Sequence, residues 1–217
     1  MTLMRRFPTL CLIADAEALS GREALPLVRQ AVNGGVDLVQ LRGKTWSGRE
    51  FLDISLKLSR FLRPKKIPLI INDRVDIALA CGADGVHLGQ DDLPLQQARK
   101  ILGKNRIIGI SVSNAKEAEE AEREGADYVG LGPIFPTQSK QTPLSPLGIK
   151  GLRLVRRAIR IPILAIGGIN ARNSVGLLEA GADGIAVISA ILGAPNIRAA
   201  AEALKKAVDP DGQTKAE

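Results

Sequence analysis

Eight short apolar runs alternate along this chain with stretches whose apolar residues recur every three or four positions, and no other feature restricts the fold as strongly. The runs are Leu10–Asp15, Leu38–Leu41, Pro68–Asp73, Gly85–Leu88, Ile107–Val112, Tyr128–Leu131, Ile161–Ile166 and Gly184–Ile188. Each is short and nearly continuous in its apolar residues, as a strand buried on both faces of a parallel sheet must be. Arg22–Asn33, Gly48–Leu62, Leu95–Leu102, Ala115–Glu124, Ile149–Ile159 and Ser174–Ala180 carry the helical spacing between them. Eight strand–helix units within 217 residues suit a closed α/β barrel, the (β/α)8 or TIM architecture, in a single domain. An open doubly wound sheet usually stops at about six strands.

An internal repeat supports that reading. Gly35-Val36-Asp37, Gly82-Ala83-Asp84, Gly125-Ala126-Asp127 and Gly181-Ala182-Asp183 each precede an even-numbered strand. A period of two units matches a barrel in which alternate strands supply alternate core layers, and each glycine falls where a helix C-terminus calls for a left-handed residue. The barrel is expected over residues 1–208. The segment 209–217 is polar, contains Pro210 and Gly212, and reads as a disordered tail.

Composition narrows the partners. With aromatic residues at only 3% of the chain, the core must be built from Val, Ile, Leu and Ala. A formal charge of +7 favours encounter with anions, phosphorylated metabolites included. Nucleic acid is not expected, because the basic residues are scattered and Trp46 and Tyr128 are the only large amphipathic rings. Neither is a membrane, since Asp15 interrupts the apolar run after Pro8 before it could become a signal-peptide core or a span. Cys11 and Cys81 lie in apolar stretches and read as small buried hydrophobes, consistent with a cytoplasmic location. No stripe on the surface indicates an oligomer.

Active sites of such barrels lie at the C-terminal ends of the strands, so the polar residues just beyond each run are the candidates. After strand 2 comes Gln40-Leu41-Arg42-Gly43-Lys44, expected at the substrate as a unit, with Gln40, Arg42 and Lys44 alternating onto one face. Arginine offers a fork and lysine a point charge to phosphate oxygens. Asn72-Asp73 ends strand 3, and Gly89-Gln90-Asp91-Asp92 follows strand 4. Neighbouring strands lie about 4.8 Å apart, near enough for Asp73 and Asp92 to meet one hard cation. Magnesium is the natural choice, since it is commonly held by one or two carboxylates together with substrate phosphates. The competing role for both is helix capping, because each precedes a helical pattern.

Ser111 ends strand 5. Strand 6 runs into the longest connection, Gly132 to Pro146, whose Thr137, Gln138, Ser139 and Lys140 could close over an anion. Gly167-Gly168-Ile169-Asn170 after strand 7 and Ile188-Ser189-Ala190 after strand 8 form the phosphate site shared by many barrels, with backbone amides and a helix N-terminus turned to the ligand. The lone histidine, His87, lies inside strand 4 and reads as structural, without the carboxylate or serine partner that catalysis by it would need. No cysteine–histidine cluster for zinc is present.

In order, Gln-x-Arg-x-Lys, Asn-Asp, His-x-Gly-Gln-x-Asp, Gly-x-Ser, Gly-Pro-x-x-x-Thr-x-Ser-Lys and Gly-Gly between Gln40 and Ser189 resemble the thiamine phosphate synthase family. Gly43 stands where many relatives carry an acidic residue. The resemblance implies a transferase that joins an aminopyrimidine diphosphate to a thiazole phosphate, or its carboxylated form, and releases pyrophosphate. It implies Mg2+ at Asp73 and Asp92. Gln40, Arg42, Lys44, Asn72, Ser111 and Lys140 would hold the pyrimidine diphosphate. Thr137, Gln138, Ser139, Gly168, Ile188 and Ser189 would hold the thiazole phosphate. In the family the pyrimidine C–O bond is thought to ionise before the thiazole nitrogen attacks, so Arg42, Lys44 and Lys140 would act catalytically by meeting the growing negative charge. A thiazole tautomerase is a related barrel but uses a histidine after strand 5, where this chain reads Ser111-Val112-Ser113-Asn114. A catalytically silent barrel that only binds phosphorylated ligands is the other alternative.

Overall fold

The computed structural model describes Phe7 and residues 9–137 and 145–209. Its strands are β1 (Leu10–Asp15), β2 (Leu38–Arg42), β3 (Leu69–Asn72), β4 (Gly85–Leu88), β5 (Ile107–Val112), β6 (Tyr128–Leu131), β7 (Ile163–Ile166) and β8 (Gly184–Val187). Each pairs in parallel with the next, and β8 returns to β1 through Leu10 opposite Ile185, closing the barrel. Helices α1 (Ala16–Leu19), α2 (Ala24–Asn33), α3 (Gly48–Leu62), α4 (Val75–Cys81), α5 (Leu95–Leu102), α6 (Ala115–Glu124), α7 (Gly148–Ala158), α8 (Ser189–Leu192) and α9 (Ile197–Val208) surround it.

The strand alternation divides the apolar residues into two cores. Val39, Leu41, Ile71 and Val86 point outward into the layer between sheet and helices, which also takes Phe51, Leu58 and Leu62 from α3. Cys11, Ile13, Leu38, Ile70, Ile107, Tyr128, Leu164 and Ala186 fill the barrel itself. The ring of Phe7 packs on that of Tyr128 at 5.8 Å between centroids. A barrel of this size is filled by side chains in its lower part, so a ligand can enter only at the top. Cys11 and Cys81 are both free and buried, and burial raises both thiols above their usual range.

The glycine–aspartate repeat has a double structural role. Gly35, Gly82, Gly125 and Gly181 all have positive φ and end the helices or turns before the even strands. The aspartates, whose role was not legible, latch the bottom of the barrel. Asp37 accepts the amide of Leu10 at 2.8 Å, Asp84 that of Leu69 at 2.8 Å, Asp127 that of Ile108 at 2.8 Å and Asp183 that of Ile163 at 2.8 Å. Each carboxylate thus satisfies an amide at or near the start of the odd strand that precedes it. Lys205, Arg99 and Arg156 pair with Asp37, Asp127 and Asp183.

Two sequence expectations need correction. Ser174–Ala180 is a succession of turns and not a helix, because Gly176 adopts φ of +83° and breaks the helical path. Several boundaries move by one or two residues, most notably at Pro68 and Ile161, which precede their strands, and at Arg42, which belongs to β2. Of the expected tail, only Asp209 is among the described residues, and it pairs with Lys205.

Candidate active site

The C-terminal mouth of the barrel opens into a cavity of about 1010 Å³. Gln40, Arg42, Lys44, Asn72, Asp73, Asp92, Ser111, Thr137, Gly168, Ile188 and Ser189 all border it. Residues that are scattered in the chain are brought together here because each follows or ends a strand of the same closed sheet. Leu41 and Gly43 do not border it. Pleating turns Leu41 outward, where it is fully buried under the helices, and Gly43 packs on Trp46. A Cβ at position 43 would lie 2.2 Å from a carbon of that indole, so an acidic residue there would require Trp46 to move. Gln138, Ser139 and Lys140 lie outside the described residues. The connection that carries them is anchored beforehand, with Ile134 and Phe135 donating their amides to Ile166 and Gly167 at 2.8 and 3.0 Å.

Arg42 is held by a residue that the sequence reading overlooked. Asp15, at the end of β1, is 2% exposed and lies beside Arg42 through the register of β1 on β2. Its Oδ2 accepts from Arg42 Nη1, while Oδ1 accepts the amides of Glu17 and Ala18 and caps α1. A buried carboxylate with one oxygen committed to backbone and the other to a guanidinium fixes the direction of that guanidinium. The detectable signal was a charged residue closing an otherwise apolar strand.

Asp73 and Asp92 come together as expected for neighbouring strand ends. Both border the same cavity, and the Asp73 carboxyl is pushed up to about 6, first by burial and then by Asp92, with Lys44 opposing both. Lys44 Nζ approaches Asp73 Oδ2 at 3.5 Å. Asp73 holds this position with φ of +63°, a left-handed conformation that aspartate tolerates better than most residues. Its amide donates to His87 O at 2.9 Å. Capping does not explain either residue. α4 starts after Arg74 and α5 after Pro94, both without a side-chain cap, while Asp92 accepts the amide of Gly89 at 2.7 Å within its own turn. Among the described residues no group of three or more His, Cys, Asp or Glu forms a metal cage. Two carboxylates beside a phosphate are nevertheless a sufficient protein share for magnesium, and two acids forced together at a cavity wall fit a divalent cation.

The opposite wall is suited to a phosphate. Gly167 and Gly168 have φ of +99° and +63°, and a Cβ at Gly168 would fall 2.3 Å from Pro136 O. Only glycine permits this close passage of backbone beneath the cavity. α8 begins at Ser189 but has a single turn, so its dipole is smaller than the sequence pattern suggested and the exposed amides matter more. At the floor, His87 Nε2 lies 2.9 Å from Ser111 Oγ and Nδ1 lies 2.9 Å from Tyr128 Oη. The histidine therefore does have a serine neighbour, supplied by the next strand and invisible in the linear sequence.

A family model described as thiamine monophosphate synthase matches residues 10–191. A thiamine-phosphate synthase of Syntrophomonas wolfei is 50% identical over 198 residues, covering 91% of this chain and 95% of the relative. One of Clostridium novyi is 50% identical over 195 residues, covering 90% and 96%. The solved thiamine phosphate pyrophosphorylase of Pyrococcus furiosus superposes with a TM-score of 0.85 at 41% identity, over 93% of this chain and 96% of that one. Likeness of this extent, over strands that all contribute to one cationic and acidic mouth, shows that the chain belongs to the thiamine monophosphate synthase family.

Proposed function

We propose that this barrel makes thiamine phosphate by magnesium-assisted departure of pyrophosphate from an aminopyrimidine diphosphate, followed by attack of the nitrogen of a thiazole phosphate. The chain is a thiamine-phosphate synthase and a transferase by family, and it acts on small molecules; what we add is how its site does so. The observation that carries the reading is the juxtaposition, in one cavity, of Asp73 and Asp92 with Arg42 and Lys44. Without a cation the two carboxylates would repel a diphosphate. Magnesium bound to them would neutralise that repulsion and draw off negative charge as the C–O bond ionises.

Arg42 and Lys44 supply fixed positive charge beside the leaving group, joined by Lys140 from the connection after β6. Asp15 keeps Arg42 aimed, so little reorganisation is needed as charge develops. Gln40, Asn72 and Ser111 provide amide and hydroxyl groups for the pyrimidine. Gly168, Ile188 and Ser189 hold the thiazole phosphate together with Thr137, Gln138 and Ser139. The attacking nitrogen carries a lone pair, so no general base is required.

Product formation should be measured against magnesium concentration for the wild type, Asp73→Asn and Asp92→Asn. The expected result is strict magnesium dependence in the wild type and turnover lowered on the order of 10²–10³-fold in the variants. Full activity in excess chelator would defeat the metal site. Diphosphate binding without any turnover would favour a silent binding barrel instead.

A further inference from the structure

The mechanism leaves one buried polar group of the cavity unused. His87 is 7% exposed and borders the cavity, and Tyr128 is fully buried in the barrel interior beside it. They form one line of contacts. Tyr128 Oη meets His87 Nδ1 at 2.9 Å, and His87 Nε2 meets Ser111 Oγ at 2.9 Å. His87 and Ser111, at the upper end of the line, border the cavity.

The sequence makes room for this line at two positions. A Cβ at Gly109 would lie 2.1 Å from Cζ of Tyr128, and one at Gly130 would lie 2.8 Å from Cε1 of His87. Glycine weakens a strand interior, so two glycines on adjacent strands, each under one ring, point to a built arrangement and not to chance proximity. Ordinary hydrogen-bond inventory then orders the protons. The Tyr128 hydroxyl is fully buried with Nδ1 as the acceptor 2.9 Å away, so the phenol hydrogen goes to Nδ1. The imidazole hydrogen is left on Nε2 and goes to Ser111 Oγ. Having accepted from the ring, the serine hydroxyl has its own hydrogen free for the cavity.

We propose that His87 is a positioning residue: held as the Nε2–H tautomer by Tyr128, it turns the Ser111 hydroxyl into a fixed donor toward an acceptor atom of the pyrimidine diphosphate. The inference rests on the reading of this cavity as the substrate site, but its first test does not involve turnover. His87 is the only histidine in the chain, so a nitrogen–proton correlation spectrum of histidine-labelled enzyme contains a single imidazole. The expected spectrum shows a protonated Nε2 and an unprotonated Nδ1, with the preference lost in Tyr128→Phe. A proton on Nδ1 in the wild type overturns the proposal.

The second test separates positioning from mere packing. Ser111→Ala and His87→Asn should each lower kcat/KM about tenfold, as loss of one hydrogen bond does. The double variant should be no slower than Ser111→Ala alone. His87→Gln, which places an amide nearer Ser111, should recover part of the loss. Losses that multiply to about a hundredfold would show that the histidine acts independently of the serine and would overturn the proposal.

Discussion

Asp15→Asn separates the charge of Asp15 from its shape. The substitution keeps an Oδ1 that can still cap α1 at Glu17 and Ala18 and removes only the negative charge facing Arg42. The side chains of the pair are 3% and 14% exposed. Removing one member of a fully buried pair costs about 3–5 kcal/mol, because the other charge is stranded. Arg42 borders the cavity and regains some hydration there, which lowers the expected loss to about 2 kcal/mol. For a chain of this size that is a fall in Tm of roughly 4–8 °C. Asp15→Ala should lose about 1 kcal/mol more, since it also removes the cap. The catalytic effect should exceed the structural one. A guanidinium displaced by about 1 Å at the leaving group is enough to lower turnover on the order of 10²-fold. Urea unfolding and steady-state thiamine phosphate formation, run on the same preparations, measure both. Wild-type kcat and KM in a destabilised Asp15→Asn enzyme would show that Arg42 does not need this partner and would refute the reasoning.

Three further outcomes are expected. Asp127→Ala should cost about 2–3 kcal/mol in urea unfolding, from loss of the charge-assisted bond to the Ile108 amide and a weaker share from Arg99, with turnover unchanged because the latch is at the opposite end of the barrel. Gly109→Ala should destabilise by about 1–3 kcal/mol through overpacking on the fully buried Tyr128 ring, read as a lower Tm. The Asp73 carboxyl rises from 3.8 to about 6 in the fold, so the proton is bound more tightly in the native state. Metal-free protein should therefore hold this contribution below pH 3.8 and lose it as pH rises through about 6. Unfolding midpoints in chelator and in excess magnesium test this, and magnesium should restore stability above pH 6.

The barrel was legible because its two periodicities are local: apolar runs of strand length and helical spacing between them survive in a linear reading. Ser174–Ala180 failed that reading because its spacing is helical while Gly176 is left-handed, and spacing carries no information about one residue's φ. The candidate site was legible for the same reason as the barrel, since every strand end faces one mouth. What remained hidden were relations across strands. Asp15 lies against Arg42 only through the β1–β2 register, and His87 finds Ser111 only through β4 on β5. Leu41 fell inside a run of candidates, and the two-residue alternation that admitted Gln40 and Arg42 to the cavity turned it away. The aspartates of the repeat looked incidental beside their glycines because an amide acceptor has no sequence signature of its own.

The central claim is that the two carboxylates and the cations of this mouth drive release of pyrophosphate and joining of two phosphorylated rings. Its most direct test mixes pure protein with the aminopyrimidine diphosphate and the thiazole phosphate, and measures thiamine phosphate and pyrophosphate with and without magnesium. The account predicts equal amounts of both products, formed only when magnesium is present. Folded wild-type protein that forms neither product, or forms both at full rate in chelator, would contradict it.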